Sequence, residues 1–486
     1  MLSRVQLGVN PLHMTPLVPA DPELDLASSP LTPDARVPYA ARVFCNRNLR
    51  MDRIHHIGFD MDYTLAIYEV AMEELQAEMV LDRLVDKFGY PEDTRTIQYR
   101  PDFGIRGLAV DIAHGNIFKM NAHRFVGRTR HGDAALTREE RRALYRNRRL
   151  SPGDPAIVMV DTLFSLPELC LYSQLVARMD AQPGAERDYA SLWRDLRSAM
   201  DELHRDGTLK ARLTADIGRY VRRVPELADT LHAFRAAGKK LFIITNSEPA
   251  YTDSVMRYLL EGERDDYDSW RGYFDLVVTS ARKPLFFNCD DPFLTVNPDF
   301  SLGDPVSELP PSSMVAQGNH KELARLAGIA GDDVLYVGDH LYGDIMRSKR
   351  STSWRTAMIV PEMGEELERI RLLAPQLDEL ERLEQVTHQL ELEMSSAIAK
   401  GDDSEVLPEQ VEKLKGRLKE MEADLATTFN TTWGPIFRDR SELSAFGTQV
   451  EDYACIYTGR VSNFIHYSPN FYYRAPRDRM AHELQR

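Results

Sequence analysis

The sequence predicts a doubly wound α/β fold: a parallel sheet with helices on both faces, one large mixed α/β insertion and a helical hairpin. Three observations carry that expectation. Short apolar runs recur, each followed by polar or small residues. Amphipathic helical patterns lie between several of them, and the rhythm is interrupted once, over residues 67–223. Strands buried on both faces read as short continuous apolar runs, and alternation with helices is the mark of a parallel sheet.

In chain order, residues 1–40 are rich in Pro, Asp and Ser and read as an arm, partly disordered. The core is expected over 41–66 and 224–361. Its candidate strands are IHHIGFD (54–60), KKLFIITN (239–246), YFDLVVTS (273–280), DVLYVGD (333–339) and TAMIVP (356–361). Helical patterns are VPELADTLHAFRAAG (224–238), closed by a glycine, and HKELARLAGI (320–329). Residues 67–223 read as a mixed α/β cap inserted between the first two core strands, with a β-like piece at PAIVMVDTLF (155–164). Residues 288–320 read as an irregular excursion. Residues 362–428 hold 18 Asp or Glu and 8 Lys or Arg, a net charge of −10. Apolar residues recur there at Ile370, Leu373, Leu377 and Leu380, and again at Val411, Leu414, Leu418, Met421 and Leu425. That pattern fits two antiparallel helices, either an oligomerisation arm or a hairpin packed on its own core. Residues 429–486 are expected to return to the core.

The chain has 486 residues, 43% of them hydrophobic, and a net charge of −15. The acidic balance argues against general nucleic-acid binding. Cys45, Cys170, Cys289 and Cys455 are far apart and form no zinc spacing. No run approaches the ~18 apolar residues of a spanning helix, and no signal peptide is evident. The expectation is a cytoplasmic protein.

Chemistry-bearing residues gather at the predicted strand ends. Asp60 and Asp62 follow the first strand. On strand periodicity they share a side and enter the crevice at the carboxyl ends, where one carboxylate can attack and its neighbour can handle protons. Helix capping is the plain alternative for such a pair. Thr245, Asn246 and Ser247 follow the second strand, where a hydroxyl and backbone N–H groups suit phosphate oxygens; N-capping is the alternative. Lys283, after the third strand, is a compact charge able to neutralise phosphate, or a solvated surface lysine. Asp339 and Asp344 follow the fourth, in GDHLYGDI, and hard cations such as Mg²⁺ take carboxylate oxygens. Four such features in order, each at a strand end, are hard to explain as capping.

DMDYT, TNS, Lys283 and GDHLYGD together resemble the four motifs of the haloacid dehalogenase-like phosphatases. Longer islands, RVFCNRNLRMDRIHHIGFDMDYTLAIY, DTLFSLPE, ARKPLFF and GDHLYGDIMRSKR, are similar to the cytosolic purine 5′-nucleotidase family, which dephosphorylates IMP and GMP. The resemblance runs in order from about residue 40 to 475. It implies Asp60 as the nucleophile that forms an aspartyl-phosphate and Asp62 as general acid–base. It implies Thr245 and Lys283 as phosphate-holding residues, with Asn246 and Ser247 beside them. The Mg²⁺ site it implies is Asp339 with the Asp60 carboxylate and the Asp62 backbone carbonyl, with Asp344 as companion acid. In the cap, Phe164 matches a base-stacking aromatic, and Arg197, Asp201, His204 and Lys210 match nucleotide-contacting positions. Tyr342 and Arg350 fall where the family's effector site has an aromatic and a basic residue.

The chain departs from the family at Asp161 and Ser165, where amides are expected. The first change weakens transfer of the effector site and the second bears on base preference. The implied function is Mg²⁺-dependent hydrolysis of purine nucleoside 5′-monophosphates, with phosphotransfer to a nucleoside as a side reaction, in a homo-oligomer. The rivals are a phosphatase for another phosphomonoester and a non-catalytic scaffold acting through the hairpin.

Overall fold

The computed structural model describes residues 37–146, 150, 153–182, 184, 187–346, 348, 351–401, 406–439 and 442–476. A ten-stranded sheet forms its centre. In spatial order the strands are Phe44–Cys45, Ile456–Thr458, Arg355–Ile359, Val334–Gly338, His56–Phe59, Lys240–Ile244, Leu276–Thr279, Ser313–Gln317, Phe293–Val296 and Leu302–Pro305. From Ile456–Thr458 to Ser313–Gln317 every pairing is parallel, and the flanking strands are antiparallel. The strands after His56–Phe59 run outward to one side, to Ser313–Gln317; the chain then returns to the other side at Val334–Gly338. That reversal opens a crevice at the carboxyl ends of the two adjoining strands, the usual ligand position in open α/β sheets.

The inner strands form because their residues are buried on both faces: Leu276–Thr279 and Val334–Gly338 are buried throughout. Gly58 serves close approach: a Cβ there would lie 2.3 Å from Cζ of Phe242, so only glycine admits that ring across the strand. Helix Glu226–Ala236 precedes Lys240–Ile244, and helix His320–Ala327 precedes Val334–Gly338. The latter begins at Asn319, whose side chain accepts from the N–H groups of Lys321 and Glu322, and ends at Gly328 with φ 69°.

Segment 67–223 leaves and rejoins the core at one place. Ile67–Tyr68, at its start, pairs antiparallel with Val221–Arg222, at its end. Between them lie a five-stranded sheet (Leu108–Asp111, Asn116–Met120, Val126–His131, Ala134–Ala135, Ile157–Val160) and helices that include Val70–Asp86, Leu166–Ala181 and Tyr189–Arg205.

Three details differ from the sequence expectations. Residues 288–320 are not irregular: they contain three sheet strands, and Ser313–Gln317 pairs in parallel with Leu276–Thr279. Prolines and aspartates in and around these strands break up the apolar runs that marked the others. The series Ile370, Leu373, Leu377, Leu380 does not lie on one helix. Met363–Leu372 packs on the core through Met363 and Leu367, and Ala374–Ala399 starts afresh after Leu373. Ala374–Ala399 and Val406–Thr428 lie against each other, with Glu391 and Lys415 paired at 2.7 Å across them. Asp62 does not stand on a strand: His56–Phe59 has already ended, and Asp62 sits in a turn where the N–H groups of Leu65 and Ala66 both donate to the Met61 carbonyl at 2.9 Å.

No helix among the described residues is long and apolar enough to cross a membrane. The four cysteines are free thiols.

Candidate active site

The crevice is lined from successive strand ends. Asp60 follows Phe59, and its backbone N–H donates to Val337 O at 2.8 Å, which pins it beside the neighbouring strand. The next turn folds back so that Met61 N–H donates to Asp60 Oδ1 at 2.7 Å. Lys283 comes from the loop after Leu276–Thr279. Ser280 and Arg282 in that loop hold positive φ, 47° and 57°, a conformation that costs a non-glycine residue about 1 kcal/mol or more. The loop after Lys240–Ile244 holds it in place. Ala281 N–H donates to Thr245 O at 2.9 Å and Ser280 N–H to Ser247 O at 2.8 Å. The Asn246 amide exchanges two hydrogen bonds with the Lys283 backbone, at 2.5 and 3.0 Å.

The Lys283 ammonium has three donors and three partners: Asp60 Oδ1 at 2.8 Å, Asp344 Oδ1 at 2.6 Å and the Tyr336 hydroxyl at 3.1 Å. Burial alone would lower its pKa; Asp344 and Asp60 override that and hold it well above the ordinary lysine value. Tyr336 in turn donates to Ile244 O at 3.1 Å. Asp344 reaches this point from the π-helical turn Leu341–Met346, and Gly338 makes room for it: a Cβ there would lie 2.7 Å from Cβ of Asp344.

Carboxylate oxygens of Asp60, Asp339 and Asp344 lie within 4.8 Å of one another, and all three residues are buried. Burial, and then the Asp344 charge, push the Asp339 carboxyl up to about 7, although Arg106 opposes the shift. The three carboxyl groups crowd one another, with the Lys283 ammonium between those of Asp60 and Asp344. Oxygen donors in that number and spacing fit a hard divalent cation such as Mg²⁺.

Asp62 accepts from Ser247 Oγ at 2.8 Å on one oxygen and from the Tyr68 hydroxyl at 2.6 Å on the other. Thr245 is fully buried, and its Oγ1 accepts from Ser247 N–H at 3.1 Å.

The inserted segment closes over this centre. Phe164 packs edge-on against Tyr63 at 4.8 Å and against His204 at 5.5 Å. His204 Nε2 lies 2.8 Å from Gln76 Nε2, and burial, then Lys210 and Arg197, lower its pKa to about 4. Arg197 pairs with Glu168 at 2.7 Å and with Asp201 at 2.8 Å, and donates to Ser165 Oγ at 3.3 Å. Lys210 pairs with Glu248 and lies 5.5 Å from the ring centre of Tyr251. Contacts thus link Phe164, His204, Lys210 and Asp62 into one neighbourhood. Asp161 lies 3.4 Å from His340 Nε2. Tyr342 lies in the π-helical turn with its side chain outside the described residues, and Arg350 is also outside them.

Sequence reasoning missed four residues. Tyr68, Tyr251 and Tyr336 carry hydroxyls into the site; Tyr68 stood within a quoted island, yet nothing in its spacing marked it. Arg106 has a wholly buried side chain and donates to the Asp339 carbonyl at 2.6 Å while pairing with Glu362 at 2.7 Å. An isolated arginine ahead of an apolar run gives no signal for such a clamp.

A family model described as the 5′ nucleotidase family matches residues 43–485. A 5′-nucleotidase domain-containing protein of Dictyostelium discoideum is 30% identical over 454 residues, covering 91% of this chain and 75% of that protein. The 5′-nucleotidase domain-containing protein 2 of Rattus norvegicus is 29% identical over 464 residues, covering 91% of this chain and 80% of that protein. Among solved structures, a HAD phosphatase from Thermococcus onnurineus is 14% identical, covers 63% of this chain and 87% of its own, and gives a TM-score of 0.27. On its family match and its relatives, the chain belongs to the 5′ nucleotidase family and is a phosphomonoester hydrolase of the 5′-nucleotidase class.

Proposed function

We propose that the protein hydrolyses purine nucleoside 5′-monophosphates, IMP and GMP foremost, through an aspartyl-phosphate on Asp60 and with Mg²⁺ as cofactor. The observation that carries this reading is the Lys283 ammonium wedged between Asp60 and Asp344 beside Asp339. Phosphoryl transfer needs positioning and charge neutralisation, and this cluster supplies both.

The two protein contacts to the Asp60 carboxylate fall on Oδ1, so Oδ2 is the attacking atom. Oδ2 bonds to phosphorus as the ester P–O bond breaks, and Asp62 gives its proton to the departing nucleoside oxygen. Asp62 then takes a proton from water as that water attacks the same phosphorus. Phosphate leaves and the Asp60 carboxylate returns. A nucleoside hydroxyl in place of water gives phosphotransfer. Lys283 supplies the compensating positive charge, and the Thr245 hydroxyl and the Asn246 backbone N–H hold the phosphate oxygens. Mg²⁺ held by Asp60, Asp339 and Asp344 would supply the remaining charge neutralisation between carboxylate and phosphate.

The half-buried ring of Phe164 suits stacking on a base; His204 packs against that ring, and Arg197, Asp201 and Lys210 are the further polar groups assigned to the nucleotide. A different phosphomonoester is the second reading. It is favoured by the pairing of Arg197 with Glu168 and Asp201, and of His204 with Gln76, which engages groups a base would need. Steady-state kinetics across nucleoside monophosphates and sugar phosphates decide between them. The proposal expects the highest kcat/KM for IMP and GMP; sugar phosphates ranking above them would overturn the purine assignment.

A further inference from the structure

The donors that hold Asp62 come from opposite sides of the crevice. Ser247 belongs to the core loop that also steadies Lys283. Tyr68 belongs to the short strand by which segment 67–223 leaves the core, paired through its backbone with Val221 at the segment's return. Its hydroxyl lies 2.6 Å from Asp62 Oδ1 and 2.9 Å from the Tyr251 hydroxyl. A phenol has one proton. With that of Tyr68 given to Asp62, the Tyr251 hydroxyl is the donor to Tyr68, and the three groups form a chain running one way, Tyr251 to Tyr68 to Asp62. Lys210 lies over the Tyr251 ring, and Phe164 packs on Tyr68 with ring centres 6.1 Å apart. Both tyrosines are buried.

We propose that Tyr68 is a positioning residue for the leaving-group step, fixing the Asp62 carboxyl from the neck of the inserted segment, with Tyr251 as its support. The inference rests on Asp62 being the general acid of the proposed reaction. The physical ground is geometric. Asp62 stands in a turn after the strand has ended, so no pleat sets its direction, and two side-chain hydroxyls do so instead. Proton donation to a departing alkoxide needs the acid within hydrogen-bond reach of that oxygen and aligned with it. The neck strand that carries Tyr68 also fixes where the inserted segment sits, so the same residue that orients the acid packs on Phe164.

The test compares wild type, Tyr68→Phe and Tyr251→Phe on IMP and on p-nitrophenyl phosphate, whose nitrophenolate departs without a proton. The quantity read is kcat/KM, which reports steps up to loss of the leaving group. Tyr68→Phe is expected to lower kcat/KM on IMP about tenfold or more, and on p-nitrophenyl phosphate less than about twofold. Tyr251→Phe should shift the ratio of the two the same way by a smaller factor. Equal losses on both esters, or no loss on IMP, would overturn the role of Tyr68. Should Tyr68→Phe not fold, as judged by its melting curve, the ratio for Tyr251→Phe decides alone: an unchanged ratio overturns the proposal. Asp62→Asn run alongside separates this from the parent reading, since an Asp62→Asn enzyme with wild-type kcat/KM on IMP would remove the acid itself.

Discussion

The two ends of the crevice are built differently. At the end proposed to hold phosphate, hereafter the phosphate end, Asp60, Thr245, Lys283 and Asp339 follow four strands of one sheet, and the Lys283 and Asp344 side chains are 4% and 1% exposed. At the end proposed to take the base, hereafter the base end, Arg197, Asp201 and His204 share a helix face, and Arg197 and Asp201 are 46% and 44% exposed. The first set is locked by backbone hydrogen bonds between loops. The second is held by side-chain contacts: Arg197 pairs with Asp201 and with Glu168, and His204 meets Gln76. Strand ends in a parallel sheet give fixed positions, which charge neutralisation requires. A helix face gives contacts that exchange one partner for another, which suits selection among substrates.

The comparison is broken most severely at the phosphate end. Asp60→Asn should lower hydrolysis by about 10³-fold or more with the fold intact by circular dichroism. Full activity in that variant would remove the nucleophile. EDTA should abolish turnover and Mg²⁺ restore it, and Mg²⁺ should also raise the melting temperature of the protein without substrate. Metal-independent turnover would contradict the assignment of Asp60, Asp339 and Asp344.

Arg106 ties the Asp339 carbonyl to Glu362, and its loss is expected to cost stability. Arg106→Met leaves Glu362 without the Arg106 partner and should destabilise by about 3–5 kcal/mol in urea unfolding; a change below 1 kcal/mol would show the pair to be idle. His204 gives the base end a pH signature. Its pKa in the folded protein is about 4, below the ordinary histidine value of 6.5. The unfolded chain therefore binds the extra proton as pH falls from about 6.5 to 4, while the folded protein does not. Stability is lost across that window, by ~3 kcal/mol from this residue alone. His204→Phe should flatten the dependence, and an unchanged slope would contradict it. The smallest effect is expected from Phe164→Ala: KM for IMP should rise about tenfold with kcat nearly unchanged, and p-nitrophenyl phosphate should be unaffected. A fall in kcat of the same size would place Phe164 in the chemistry instead.

The difference between the two ends also governs what could be read in the sequence. Asp60, Thr245 and Asp339 were legible because each directly follows an apolar run that fixes where its end must be, and Lys283 because it stands four residues past such a run. The five inner strands His56–Phe59, Lys240–Ile244, Leu276–Thr279, Val334–Gly338 and Arg355–Ile359 were legible for the same reason. Ser313–Gln317 was not, since SSMVAQ mixes polar and apolar residues behind two prolines. At the base end, helical spacing placed Arg197, Asp201 and His204 on one face, yet the partners Glu168 and Gln76 come from other helices, and no local pattern encodes a contact between distant segments. Arg106 was hidden likewise, since Glu362 and Asp339 lie 256 and 233 residues along the chain; Tyr68 is only 6 residues from Asp62, but a turn rather than a strand or helix period sets that contact.

The central claim is that Asp60 carries the phosphoryl group. Acid-quenching the enzyme during turnover of IMP, reducing with borohydride and sequencing the peptides by mass spectrometry tests it directly. The account predicts reduced aspartate at Asp60, present only when Mg²⁺ and IMP are both supplied. Hydrolysis proceeding at full rate with Asp60 unmodified under those conditions would contradict it.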